Sequence, residues 1–159
     1  VSTIRPAELS DAAAVASIHH QHLESDQPMA PRQVRFWQEA IELGEPQIQV
    51  ADDDGELVGF VGFDRSRDPK TRPTVGEIWA LHVLPRHQGQ GVGLALWDAA
   101  REGLEDEGCT QVTAWVQLRD ERALRFFELA GFKREMTTLR TALVGVKRLE
   151  EIRMKRNVV

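Results

Sequence analysis

The chain has no tyrosine and one cysteine among its 159 residues, and no hydrophobic run approaches the length needed to cross a bilayer. A lone Cys109 cannot form an internal disulfide, which agrees with a reducing compartment. Its place at the start of a strand-like run gives it a packing role. The opening Val1-Ser2-Thr3-Ile4-Arg5 lacks the apolar core of a secretory signal, so a cytoplasmic setting without membrane contact is expected. Basic residues are in deficit, 20 Lys and Arg against 25 Asp and Glu. The resulting charge of -5 argues against a general affinity for nucleic acid and favours a cationic partner such as an amine. Internal repeats, low-complexity segments and linkers are also missing, so residues 1–159 are expected to form one domain.

The glycine-rich stretch Val83-Leu84-Pro85-Arg86-His87-Gln88-Gly89-Gln90-Gly91-Val92-Gly93-Leu94 is likewise defined first by what it lacks. A dinucleotide fingerprint G-x-G-x-x-G starting at Gly89 needs glycine at 94, where Leu94 stands. A nucleotide phosphate loop needs a lysine, and none lies in the segment. What remains is an anion cradle: glycines at 89, 91 and 93 let the backbone fold back, and the following helix aims its positive end at the same place. A pyrophosphate suits such a site, and so does the plainer reading of a helix-entry turn.

Periodicity supplies the frame around this loop. Ser2–Arg5 reads as a first strand closed by Pro6. Ser10 is the expected cap of a helix over Asp11–Leu23, with Ala12, Val15, Ile18 and His22 on one face. His19, His20 and His22 share this helix, but no third ligand stands at a telling distance and no metal site is expected. A solvated face, the lining of a substrate pocket and recognition of a substrate carboxylate are the roles left open for them. Pro31 begins a second helix through Glu42, with Val34, Trp37 and Ile41 inward. Gln47–Ala51 and Glu56–Phe63 form a hairpin around the turn Asp53-Asp54-Gly55.

The loop 64–74 carries Arg65, Arg67, Lys70 and Arg72, either as a solvated connection or as an anion contact. Val75–Leu84 is apolar on both faces, as in a central strand, with Glu77 and His82 as exceptions. A helix over Gly91–Glu107 and a strand over Thr110–Gln117 complete a right-handed crossover, which makes the strands on either side parallel neighbours. The cradle then lies at the carboxyl end of the sheet, where open α/β sheets bind ligands. Asp120 can cap a fourth helix through Ala130, with Ala123, Phe126, Phe127 and Ala130 inward. Strands near Phe132–Leu139 and Leu149–Lys155 finish the chain, with 142–147 open between loop and strand.

Two motifs in order then carry a family resemblance. Gln88-Gly89-Gln90-Gly91-Val92-Gly93 follows a strand ending in V-x-P, in the pattern Q/R-x-x-G-x-G/A. Downstream, Asp120-x-x-Ala123-x-x-Phe126-Phe127-x-x-x-Gly131-Phe132 matches N-x-x-A-x-x-F-Y-x-x-x-G-F apart from its first and eighth positions. Together with Glu77-Ile78 before Val83 and Pro85, they resemble the GNAT superfamily of N-acetyltransferases. Residue-level likeness runs from about 75 to 132. The resemblance implies an α/β (α+β) fold with a mixed sheet of six or seven strands, about four helices, and parallel strands four and five splayed at a cofactor site.

It also implies acetyl-CoA as cofactor and transfer of its acetyl group to an amine, within a ternary complex. By the family pattern, backbone groups of Leu81, His82 and Val83 run beside the pantetheine arm, and the amides of Gln88, Gly89, Gln90, Gly91, Val92 and Gly93 hold the pyrophosphate. Asp120, Ala123, Phe126 and Phe127 contribute further cofactor contacts. Asp120 replaces an asparagine there, and an ionised carboxylate donates no hydrogen bond.

The acceptor ammonium, with a pKa of about 10, must lose a proton before attack. Glu77 is the first candidate base, through a water, because a carboxylate embedded among apolar residues suits proton transfer. Its alternative role is an ion pair with a nearby arginine. His82 is the second candidate, on the opposite face unless a bulge re-aims it. The family's usual acid is a tyrosine, and Phe127 occupies its place, so thiolate protonation falls to solvent or substrate. The expected acceptor is a small-molecule amine. Alternatives are a protein N-terminus or lysine, and a sensor that binds acyl-CoA without turnover. The final strands could pair across a homodimer.

Overall fold

The computed structural model describes residues 2–23, 26–144 and 146–158. Val1, Glu24, Ser25, Gly145 and Val159 lie outside them, so the expectations for the opening residues, for 19–37 and for 142–147 are compared on the remaining positions. In chain order the elements are β1 (Thr3–Pro6), α1 (Ala12–His22), α2 (Pro31–Leu43), β2 (Gln47–Asp53), β3 (Glu56–Arg65), β4 (Val75–Val83), α3 (Val92–Asp106), β5 (Gln111–Gln117), α4 (Glu121–Leu129), β6 (Lys133–Val144) and β7 (Lys147–Asn157). The strand order is β1-β2-β3-β4-β5-β7-β6. The β4–β5 pair is parallel, with Glu77 opposite Thr113, and the β1–β2, β2–β3, β5–β7 and β6–β7 pairs are antiparallel. Mixed α/β architecture with parallel strands four and five agrees with the sequence. No helix among the described residues is long and apolar enough to cross a membrane.

The chain divides into two compact units, residues 1–64 with 79–104 and residues 65–78 with 105–159. In the first, β3 is buried along seven successive residues, Leu57–Phe63. This is the mark of a strand covered on both faces. Phe60 and Val50 join a cluster with Ala12, Val15 and Ile18 of α1 and Trp37 and Ala40 of α2. Gly59 and Phe63 meet α3 instead, near Leu96 and Gly103 respectively. The amphipathic spacing of α3 buries Leu96, Trp97, Ala100 and Leu104.

One cap differs from expectation. Ser10 lies within a 3-10 turn, Leu9–Asp11, and Asp11 takes the position before α1. The Asp11 carboxylate accepts from both terminal nitrogens of Arg5, at 2.8 and 3.1 Å, and from the Glu8 amide at 2.7 Å. The Arg5 guanidinium first, and then the Glu8 amide, hold the Asp11 carboxyl below its ordinary pKa.

In the second unit, Val112, Ala114 and Val116 of β5 alternate inward with Ile152 and Met154 of β7, and α4 adds Leu124 and Phe127. The Trp115 indole N–H donates to Asp68 Oδ1 at 3.0 Å. Arg153 joins Asp68 Oδ2 at 3.0 Å to Glu135 Oε1 at 2.8 Å, tying the 65–78 segment to β5, β6 and β7. The last two strands are longer than the sequence indicated, with β6 reaching Val144 and β7 starting at Lys147. A register shift between Glu135 and Arg140 breaks the alternation that would have marked them.

Gly59 is where the backbones of β3 and β4 come close together. A Cβ there would lie 2.9 Å from the His82 carbonyl oxygen, 3.2 Å from Leu96 Cδ1 and 3.3 Å from Val83 Cγ2. Gly59→Ala is therefore expected to lower stability by about 1–3 kcal/mol, as for other overpacked sites. Urea denaturation measures this directly, and an unchanged midpoint contradicts the close approach.

Candidate active site

The first unit carries the loop. β4 ends where the Leu84 amide donates to the Val58 carbonyl at 2.8 Å, and Pro85–His87 follow as one 3-10 turn. The Gln88 side chain reaches back, Nε2 donating to the Val83 carbonyl at 3.0 Å. Arg86 pairs with Glu56 of β3. Beyond Gln88 the backbone turns through positive φ at Gly89 (76°) and Gly91 (84°), a conformation that costs other residues about 1–2 kcal/mol. No atom lies within 4 Å of where a Cβ would stand at either glycine. α3 begins at Val92, and the first amides of a helix have no intrahelical partner. Gly93 lies inside the helix, so two of the three glycines make the turn. The open concavity, the backbone donors and the helix dipole together fit a pyrophosphate.

His82 sits on the same strand, six residues before Gln88. Its ring stacks on His22 with centroids 3.8 Å apart and planes 26° apart. His19 lies 5.6 Å away, and Phe60 stands nearly edge-on at 5.5 Å. Trp37 packs against His19 at 5.4 Å. Burial and the neighbouring His22 and His19 push the His82 pKa well below 6.5. His19 is lowered by burial and then by His22 and His20. Stacked rings do not converge their nitrogens on one point, and among the described residues no group of three His, Cys, Asp or Glu side chains is arranged to hold a metal ion.

The second unit holds the other candidates. Glu77 is 1% exposed and accepts at both oxygens from Arg67, from the backbone N–H at 2.9 Å and from the guanidinium at 2.6 Å. This is the ion-pair role considered beside the catalytic one. Arg65 donates to the Pro73 and Glu107 carbonyls at 3.4 and 3.5 Å. Asp120 caps α4, its Oδ1 accepting from the Ala123 amide at 3.0 Å, which leaves Oδ2 for any further contact. Phe127 is buried, edge-on to Phe126 at 5.3 Å and to Phe132 at 5.0 Å. Ala123 and Phe126 are half-buried on the same helix. Leu81 and Val83 are half-buried on β4.

Sequence reasoning missed the contact of His19 and His22 with His82. Their three-residue spacing on a helix puts them on one face, but which strand that face meets is a tertiary fact. It also left open which base of the 64–74 loop would reach Glu77.

A mixed sheet with parallel β4 and β5 and an open glycine turn feeding α3 defines an α/β protein with a helix start left uncovered by side chains. A family model described as the acetyltransferase (GNAT) family matches residues 13–132, and the chain belongs to this family, whose members use acetyl-CoA. It is 32% identical over 133 residues to a mycothiol acetyltransferase of Sanguibacter keddieii, covering 83% of this chain and 41% of that protein. An uncharacterized N-acetyltransferase of Archaeoglobus fulgidus is 36% identical over 88 residues, or 55% of this chain and 60% of that one. The chain therefore spans under two thirds of the length of either relative. In fold it is similar to an N-acetyltransferase from Staphylococcus aureus (TM-score 0.83, 17% identity, 100% and 99% of the two chains). It is also similar to a phosphinothricin acetyltransferase from Sinorhizobium meliloti in complex with acetyl-CoA (0.77, 20%, 98% and 88%).

The lowered pKa values of His82 and His19 have a thermodynamic consequence. Below pH 6.5 the unfolded chain takes up protons that the folded one refuses, so stability is full above that value and falls as pH drops through it. The carboxyl of Asp11 acts lower, below its ordinary 3.8. Urea unfolding between about pH 7.5 and 5.5 should show a loss that His82→Asn reduces. A variant with the wild-type slope contradicts the assignment.

Proposed function

We propose that residues 1–159, as one domain, transfer the acetyl group of acetyl-CoA to a primary amine of a small molecule in the cytoplasm. The observation that carries this reading is the turn at Gly89 and Gly91, open where side chains would stand and leading directly into α3. The amides of Gln88, Gly89, Gln90, Gly91, Val92 and Gly93 hold the pyrophosphate, and the backbone of Leu81, His82 and Val83 lies along the cofactor arm. Contacts from Asp120, Ala123, Phe126 and Phe127 rest on the family pattern alone. The relative named for mycothiol supports a small acceptor. In β6, the last strand in the sheet order, Met136 and Leu143 are 69% and 71% exposed, which supports pairing with a second copy.

Bound acetyl-CoA supplies its acetyl group as a thioester, whose C–S bond breaks as the amine nitrogen bonds to the carbonyl carbon. The acceptor arrives as an ammonium ion and must first release a proton. His82 is assigned this proton, because its imidazole is neutral at physiological pH and keeps a lone pair available. Glu77, with both oxygens engaged by Arg67, is assigned to anchoring the 65–78 segment. This reverses the order in which the sequence ranked the two. The nitrogen's second proton, released as the amide forms, goes to solvent or to the departing thiolate, since Phe127 has no proton to give. As the anion of a thiol of pKa about 8.5, that thiolate is a tolerable leaving group.

Thiol release from acetyl-CoA, followed against a panel of small amines and short peptides, tests the reading. Turnover on small amines is expected, with His82→Asn lowering kcat by about 100-fold or more. Glu77→Gln should lower stability but change kcat by less than about tenfold, below the range for loss of a general base. The reverse pattern would make Glu77 the base. Turnover on peptides alone would make the acceptor a protein, and acetyl-CoA binding without turnover on any acceptor favours a sensor.

A further inference from the structure

We propose that His22, with His19 beside it, is a positioning residue for the acceptor-side proton transfer, holding the His82 imidazole in one orientation and uncharged. The inference rests on the assignment of His82 as base and adds two residues of α1 to it. Geometry carries it. His22, exposed at the last turn of α1, covers one face of the His82 ring at a centroid distance of 3.8 Å. Phe60 of β3 stands edge-on at 5.5 Å, and His19 closes a further side at 5.6 Å. His19 is itself fixed against Trp37 of α2. A ring enclosed in this way has little freedom to turn.

The same enclosure sets its charge. Two imidazolium rings in face-to-face contact repel, so a proton on His22 disfavours one on His82, and Phe60 offers no compensating anion. Among the described residues, the charged groups acting on His82 are His22 and His19. β3 and α2 contribute Phe60 and Trp37, which do not titrate. His20, though on the same helix, turns elsewhere, with its ring nitrogens bonded to Gln33 at 3.1 Å and to the Gln27 carbonyl at 2.8 Å. Free rotation and protonation would each remove the base from the acceptor. The stack prevents both.

The test follows the imidazole Cε1–H signals of labelled protein as a function of pH, in the wild type, His22→Phe, His22→Gln and His20→Gln. Either His22 substitution removes the like charge, so the His82 midpoint is expected to move to higher pH. His20→Gln should leave it in place. The acid limb of kcat/KM should follow the midpoint upward, making the His22 variants less active than wild type near the low end of the profile. A His82 midpoint unmoved in both His22 variants overturns the proposal. A midpoint that rises while the acid limb stays fixed upholds the coupling between the rings and instead overturns the assignment of His82 as base.

Discussion

The close approach of β4 to β3 at Gly59 is the constraint on which the first unit depends. With the His82 carbonyl 2.9 Å from where a Cβ would stand, β4 comes this close to β3 because position 59 carries no side chain. The ring then falls between Phe60 on β3 and the histidines of α1. The strand ends two residues later, where Leu84 bonds back to Val58, and that ending delivers Pro85 and the glycine turn to the head of α3. One missing side chain thus bears on both the His82 imidazole and the start of the glycine turn. Leu96 of α3 meets the same glycine from the helix side.

The two titratable residues of β4 are treated in opposite ways. Glu77 is buried and matched, its charge balanced by Arg67 and its second oxygen bonded to a backbone amide, so it holds a segment in place at the expense of its own reactivity. His82 is enclosed and unmatched, and an enclosed imidazole without a counter-ion stays neutral. Neutrality is a structural compromise, since it makes the fold sensitive to acid. It is also what proton abstraction requires. Phe127, where the family motif has a tyrosine, is packed against Phe126 and Phe132 as an apolar residue.

Local signals in the sequence were sufficient for the elements and the loop. Alternation marked β2, an apolar run marked β3, helical spacing marked α2 and α3, and the glycines at 89 and 91 marked the turn because φ above zero admits few other residues. Asp120 was readable as a cap since capping is a contact between residues three apart. Long-range partners were not readable. Asp11, not Ser10, stands before α1, and its carboxylate is bonded to Arg5 of β1. His22 falls in line with Val15, seven residues earlier, yet it lies in the open last turn and is exposed. That Arg67, among four basic residues in one loop, meets Glu77 depends on how the loop turns, with Lys70 at positive φ. The ring contacts of His82 join α1 to β4 across sixty residues, a separation at which periodicity carries no information.

The central claim is that the backbone amides of residues 88–93 hold the pyrophosphate of acetyl-CoA. Amide chemical shifts recorded while acetyl-CoA is added test this most directly, with coenzyme A and acetyl phosphate as comparisons. Saturable shifts centred on Gly89, Gly91, Val92 and Gly93, shared by acetyl-CoA and coenzyme A, are the predicted result. Saturation with those amides unmoved would place the cofactor elsewhere and contradict the account.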